Sequence, residues 1–132
     1  MNPPLLNGYS FDPDLINAYK KSRKLLSLRI ETNYDCNLRC RYCYAPEVKK
    51  DKPFISFKEQ LRVIDEALEL GIKSVVGVGP GEPLLFQNLC ELVEYLHAKD
   101  LIFVTFTNLT LMTRELAKFM HEHNVSVIGK CD

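Results

Sequence analysis

Strand-like and helix-like patterns alternate along most of this 132-residue sequence. Four segments have the apolar or alternating pattern of a strand, namely residues 25–32, 73–78, 101–106 and 125–128. A cysteine-containing segment follows the first strand. Beyond it, apolar residues recur at helical spacing between each pair of successive strands. A further helix is predicted to start at Asp12-Pro13 and to run to about residue 24. The predicted order after that helix is therefore β-α-β-α-β-α-β.

This order predicts an α/β fold in which parallel strands are joined by right-handed helical crossovers. Both a doubly wound sheet and a partial (β/α) TIM-like barrel fit the pattern. A complete barrel needs about 250 residues, and the sequence reaches about half of that length. We therefore expect a partial TIM-like barrel that is truncated after its fourth strand.

Local signals support the individual elements. Ser56 and Glu59 have the spacing of a capping box at a helix start, and Gly71 supplies a left-handed stop. A second helical stripe begins at Leu85, and Thr113 can cap a third. These signals predict helices in the three gaps between the strands.

Composition excludes several broad classes of protein. Seventeen basic residues balance 17 acidic ones, so the net charge of zero argues against a nucleic-acid-binding or anionic membrane surface. Apolar residues make up 46% of the chain, which argues against disorder. No apolar run approaches a membrane span, and the N-terminal residues do not resemble a secretory signal. We expect a cytoplasmic protein.

Three of the five cysteines lie within eight residues, directly after the first predicted strand. Cys36, Cys40 and Cys43 have the spacing C-x3-C-x2-C. In a reducing compartment such a group indicates a metal site rather than disulfides. Three thiolates can hold a four-iron cluster and leave one iron open. The alternative is zinc, for which Cys40 and Cys43 form one pair and a further ligand would have to come from elsewhere.

Two further motifs follow the next two strands. Gly81, Glu82 and Pro83 form a Gly-Glu-Pro run after the second strand, and Thr107-Asn108 follows the third. Leu109 does not tolerate positive φ cheaply, so any tight turn there is expected to be rearranged. Carboxyl ends of parallel strands meet at one edge, so the three motifs are predicted to converge. Taken alone, Gly-Glu-Pro could be a plain turn with a solvated Glu82.

The three motifs together resemble the radical S-adenosylmethionine (radical SAM) enzymes, with Tyr42 as the aromatic residue before the third cysteine. Pro80 stands where that family usually has a first glycine, and Leu109 where it usually has another. The resemblance covers about residues 25–132, which would be the N-terminal portion of the core domain, with residues 1–24 as an arm and helix. It implies a [4Fe–4S] cluster on the three cysteines and S-adenosyl-L-methionine as cofactor.

The resemblance also implies individual roles. Tyr42 would contact the adenine, Gly81, Glu82 and Pro83 would bind the cofactor's ammonium end, and Asn108 would lie at the cofactor rim. The implied reaction is reductive cleavage to a 5′-deoxyadenosyl radical that abstracts hydrogen from a substrate, with an electron donor such as flavodoxin or ferredoxin as partner. A non-catalytic iron–sulfur or zinc-binding module and an inert truncated product are the alternatives. The roles of Cys90, Lys130, Cys131 and Asp132 are left open.

Overall fold

The computed structural model describes residues 6–45 and 55–130, which form one parallel β-sheet and four α-helices. In chain order the elements are α1 (Pro13–Ser22), β1 (Ser27–Ile30), α2 (Phe57–Glu69), β2 (Ser74–Gly77), α3 (Leu89–Ala98), β3 (Ile102–Thr107), α4 (Arg114–Glu122) and β4 (Ser126–Gly129). This order confirms the predicted α/β class with parallel strands. None of the helices in the described part of the chain has the length and apolar character that a membrane crossing requires.

The strands lie side by side in the order β1-β2-β3-β4, and each neighbouring pair is parallel. Ser27 is in register with Ser74, and Ser74 with Ile102. Because every strand runs the same way, the segments that follow β1, β2 and β3 emerge at one edge of the sheet. The fold therefore brings the three predicted motifs to the same edge.

The helix boundaries follow the predicted caps, with one difference. Ser56 and Glu59 form the reciprocal capping box of α2, and Gly71 beyond its end has a φ of +96°. The side chain of Thr113 accepts a hydrogen bond at the start of α4. Leu85, however, belongs to a short 3-10 helix, Pro83–Leu85, and α3 begins only at Leu89. Proline at the first position and the Glu82 carboxylate favour this separate turn.

The core lies between one face of the sheet and the helices. Val75 and Phe103 on that face pack in one cluster with Ile64 of α2 and Leu92 of α3, and all four side chains are almost fully buried. Gly77 leaves room for the Phe103 ring, because a Cβ at residue 77 would lie 2.7 Å from that ring. Burial of such large side chains is the main source of stability.

Part of the opposite face of the sheet is contacted by the segment before α1, residues 6–10, which we call the N-terminal arm. The Ser74 hydroxyl donates a hydrogen bond to the carbonyl of Gly8, and the Ser126 hydroxyl donates to Asn7. Gly8, at a φ of +77°, lies directly against Ile102, where a Cβ would approach to 2.7 Å. At Gly8 the arm approaches the side chains of Ile102 and Val104 with backbone that only glycine allows so close.

A polar cluster joins α2 to α3 on the surface. The hydroxyl of Tyr95 lies 2.7 Å from both carboxylate oxygens of Asp65, and the ammonium of Lys99 lies 3.1 Å from Oδ1. The hydrogen bond from Tyr95, and then that from Lys99, lower the pKa of Asp65. The ionised carboxylate therefore stabilises the fold above its ordinary pKa, and this contribution disappears as the pH falls through the lowered value.

We predict that Tyr95→Phe reduces the loss of stability on acidification. The variant removes the main cause of the lowered Asp65 pKa, so the melting temperature should fall less steeply between about pH 5 and pH 2. Thermal melts across this range, followed by circular dichroism, test the prediction. Glu69→Gln removes an exposed carboxylate from the same helix and serves as the control. A Tyr95→Phe curve that runs parallel to the parent curve would contradict it.

Candidate functional site

The site is built from the segments that leave the carboxyl ends of the strands. The loop after β1 carries the three cysteines, the turn after β2 carries Gly81 and Glu82, and the turn after β3 carries Asn108. These segments contact one another directly, since the backbone N–H of Glu82 donates to the carbonyl of Asp35 over 2.7 Å. The predicted convergence of the three motifs is therefore present in the structure.

The carboxylate of Glu82 lies at the centre of these contacts and is only 3% exposed. Oε1 accepts hydrogen bonds from the Thr107 hydroxyl and from the backbone N–H of Leu84, and Oε2 accepts one from the N–H of Asn108. A carboxylate offers about four acceptor positions, so these donors occupy most of them. A buried charge is stable only with such partners. The alternative of a solvated Glu82 is wrong.

Gly81 permits the closest approach between two of these segments. A Cβ at this position would lie 2.5 Å from the carbonyl oxygen of Asn33 and 2.8 Å from that of Asp35. Real Cβ atoms do not approach backbone so closely, which makes glycine necessary here. The sequence predicts close approach to a ligand at Gly81, and in the structure it is the chain's own cysteine-bearing loop that approaches.

Asn33 is a structural residue of the site that the sequence patterns do not reveal. Its side-chain amide donates to the carbonyls of Asp35 and Glu82, each over 3.1 Å, and its Oδ1 accepts from Thr32. It thus ties the start of the loop to the turn after β2. An Asn directly after a strand is a common turn signal, and nothing local distinguishes this one.

Cys36, Cys40 and Cys43 are free thiols of intermediate exposure. The N–H of Cys43 donates to the carbonyl of Cys40 over 3.1 Å, so the second half of the motif forms a tight turn. Within the described residues no three His, Cys, Asp or Glu side chains lie close enough together to hold a metal ion. The donor set itself fits a cluster: three unpaired, accessible thiols on one short loop.

Tyr42 projects from this loop and is 54% exposed. The ammonium of Lys130, which follows β4, lies 3.6 Å from the centroid of its ring, and the N–H of Lys130 donates to the carbonyl of Thr107. Tyr44 is more exposed, and its pKa is raised by partial burial and by the negative charges of Glu31 and Cys43. Cys131 and Asp132 lie outside the described residues, and Cys90 is exposed on α3.

The turn after β3 corrects one expectation. Leu109 has a φ of +64°, so it adopts the left-handed conformation directly and the turn is not rearranged to avoid it. Its N–H donates to the Thr107 hydroxyl over 3.1 Å, and its side chain packs over Gly129, where a Cβ would lie 2.4 Å away. These contacts offset a conformational cost of about 1–2 kcal/mol.

A cleft of about 600 Å³ lies beside the site. It is bounded by the start of the cysteine loop, the N-terminal end of α2 and the turn before α3, with these lining residues: Thr32, Asn33, Tyr34, Asp35, Ile55, Ser56, Phe57, Leu85, Phe86, Gln87 and Asn88. The cysteines and Glu82 do not line it. The cleft is therefore adjacent to the predicted site and distinct from it.

The fold and the site together define an α/β protein whose parallel strands direct a three-thiol loop and a buried carboxylate to one edge. The model of the radical SAM superfamily matches residues 30–129. The chain belongs to the radical SAM superfamily.

Two curated enzymes illustrate its relatives. The chain is 38% identical to GTP 3′,8-cyclase of Desulforamulus reducens in an 84-residue alignment that covers 61% of this chain and 26% of the cyclase. It is 37% identical to Fe-coproporphyrin III synthase of Methanosarcina barkeri in a 97-residue alignment that covers 71% of this chain and 24% of the synthase. The chain thus spans about a quarter of the length of these relatives.

Solved structures show the same fold at lower identity. BtrN in complex with AdoMet and 2-DOIA superimposes with a TM-score of 0.70 at 21% identity, over 80% of this chain and 46% of BtrN. SuiB of Streptococcus suis bound to S-adenosylmethionine gives a TM-score of 0.61 at 22% identity, over 86% of this chain and 25% of SuiB. At 21–22% identity, this structural similarity establishes the fold alone. In each case the chain matches only part of a larger protein.

We predict that Gly81→Ala loosens the cysteine loop, whereas Gly79→Ala is tolerated. The new Cβ at residue 81 meets two backbone carbonyls at 2.5 and 2.8 Å. At residue 79 the nearest atoms are Cβ and Cγ of Glu31 at 3.2 Å, a contact that a shift of a few tenths of an ångström relieves. Hydrogen exchange at the N–H of Glu82, which bonds Asp35, should accelerate at least tenfold in the first variant. The exchange rates can be measured by mass spectrometry or NMR. Equal rates in both variants would contradict the claim that glycine is necessary at residue 81.

Proposed function

We propose that this chain provides the cluster- and cofactor-binding part of a radical SAM oxidoreductase. The observation that carries the proposal is the placement of three free thiols and the buried Glu82 at one sheet edge, in a chain of this superfamily. Neither feature alone would indicate radical chemistry, since thiol loops also bind zinc and buried carboxylates also serve structure.

The proposed ligands of a [4Fe–4S] cluster are Cys36, Cys40 and Cys43. Three thiolates leave one iron without a protein ligand, and that position is available to the amino and carboxylate groups of S-adenosyl-L-methionine. When bound, the cluster and S-adenosyl-L-methionine would supply one-electron reductive cleavage of a carbon–sulfur bond and hydrogen-atom abstraction from a substrate. The chain's own residues would bind the cluster and S-adenosyl-L-methionine, orient them and shield them from water.

Glu82 is the proposed recognition point for the cofactor's ammonium group. Its carboxylate is fixed by Thr107, Leu84 and Asn108, which leaves about one acceptor position for an ammonium group. Because the side chain is only 3% exposed, binding at this position requires the turn to open slightly. Gly81 and Pro83 set the path of the same turn.

Tyr42 and Asn108 are the remaining proposed contacts. Tyr42 presents an exposed ring beside the third cysteine for the adenine. Asn108, which follows β3, is proposed at the rim of the bound cofactor.

The proposal includes a single-electron donor of the flavodoxin or ferredoxin kind and a location in the cytoplasm. Reduction of the cluster would need a one-electron donor, and free thiols persist best in a reducing compartment.

The two relatives are named for different reactions. We therefore propose the radical chemistry without a particular substrate.

We predict that the chain binds iron through these three cysteines. Anaerobic reconstitution with iron and sulfide should give a brown protein with about four irons per chain, and replacement of all three cysteines by Ala should reduce iron to background. Adding S-adenosylmethionine should change the electron paramagnetic resonance spectrum of the reduced protein. Iron analysis and this spectrum are the measurements.

Cys90→Ala is the matched control, because Cys90 is an exposed thiol on α3 outside the loop. It should bind as much iron as the parent chain. Stoichiometric zinc without iron would instead support a zinc-binding module. A cluster whose spectrum ignores the cofactor would support a non-catalytic iron–sulfur module.

A further inference from the structure

Three side chains at the site form a closed ring of hydrogen bonds between the cysteine loop and the turn after β3. The side-chain N–H of Asn37 donates to the Thr110 hydroxyl over 2.8 Å, and that hydroxyl donates to Oδ1 of Asn108 over 2.7 Å. The side-chain N–H of Asn108 then donates to Oδ1 of Asn37 over 3.0 Å. We call these three residues the Asn37 ring.

A single backbone group fixes the direction of every bond in the ring. The N–H of Thr110 donates to Oδ1 of Asn108 over 3.0 Å, so the oxygen of that amide must face it. The amide nitrogen of Asn108 is then left to donate to Asn37, and the nitrogen of Asn37 is left to donate to Thr110. Because each group both donates and accepts, the bonds reinforce one another.

The ring is connected to the buried centre of the site through its middle member. The backbone N–H of Asn108 donates to Oε2 of Glu82 over 2.9 Å. Asn37 is the residue directly after Cys36, so the first cysteine is one residue away from an anchored side chain. The ring therefore holds the beginning of the three-thiol segment on the turn after β3.

A second contact holds the other end of the same segment. Tyr42 directly precedes Cys43, and its ring lies under the ammonium of Lys130 at 3.6 Å from the centroid. Lys130 is itself fixed by the hydrogen bond from its N–H to the Thr107 carbonyl over 2.9 Å. Cation–π contacts of this kind attract without requiring burial. The two cysteines at the ends of the motif are thus each next to a tether.

We propose that Asn37, Thr110 and Lys130 are positioning residues that hold the three-thiol loop over the strand ends before any metal is bound. This inference rests on the proposed cluster function. These residues donate no ligand; they act through Asn108 and Tyr42. They reduce the number of loop conformations that the thiols sample, which favours loading of the cluster and slows its loss.

The first test compares Thr110→Val with Thr110→Ser. Valine keeps the shape but removes the hydroxyl, whereas serine keeps the hydroxyl and should restore the ring. In the metal-free chain, exchange at the N–H groups of Cys43 and Glu82, which bond the loop carbonyls of Cys40 and Asp35, should accelerate about three- to tenfold in Thr110→Val and less than twofold in Thr110→Ser. Melting temperatures of the two variants should agree, because the ring is largely solvent-exposed. Equal exchange in both variants would overturn the proposal.

The second test measures release of iron to a chelator after anaerobic reconstitution. Release should be about three- to tenfold faster in Thr110→Val and Asn37→Ala than in Thr110→Ser. Faster exchange without faster release would overturn the positioning role. Failure of the parent chain to load any iron would instead contradict the proposed function, and the exchange data would then stand alone as evidence on the tether.

Lys130 has its own matched pair. Lys130→Gln removes the cation and Lys130→Arg keeps it, so exchange at the N–H of Cys43, which bonds the Cys40 carbonyl, should accelerate in the first variant only. If glutamine and arginine behave alike, the second tether does not exist.

Discussion

The site depends on one buried carboxylate. Glu82 accepts hydrogen bonds from Thr107 at the end of β3, from Asn108 in the next turn and from Leu84 in its own 3-10 helix. A carboxylate without these partners would be too costly to bury, so the strand ends must stay together for the charge to be accommodated. The geometry of the site is therefore coupled to the folding of β2 and β3.

Much of this architecture follows from sequence because its causes are local. The capping box at Ser56, the left-handed stop at Gly71 and the cap at Thr113 each act within a few residues, and each is present. The β-α alternation then forces parallel strands, and parallel strands bring their carboxyl ends together. The prediction that three motifs meet needs only this topology.

The details that sequence did not reveal depend on partners far along the chain. Leu109 tolerates its positive φ because Gly129, twenty residues later, leaves space for its side chain. Gly81 is required by the carbonyl of Asn33, on a different loop. Pairwise contacts at such separations follow from the register of β1 with β2 and of β3 with β4, which a local pattern cannot specify.

The N-terminal arm limits which part of the sheet a small molecule can contact. Its backbone at Asn7 and Gly8 caps the serine side chains at the beginnings of β2 and β4 and lies against Ile102 at the beginning of β3. A solute in contact with this part of the sheet would have to displace main chain that is already hydrogen-bonded. The chain's own backbone thus occupies the beginnings of these three strands, whereas the three thiols lie in the loop at the opposite, carboxyl edge of the sheet.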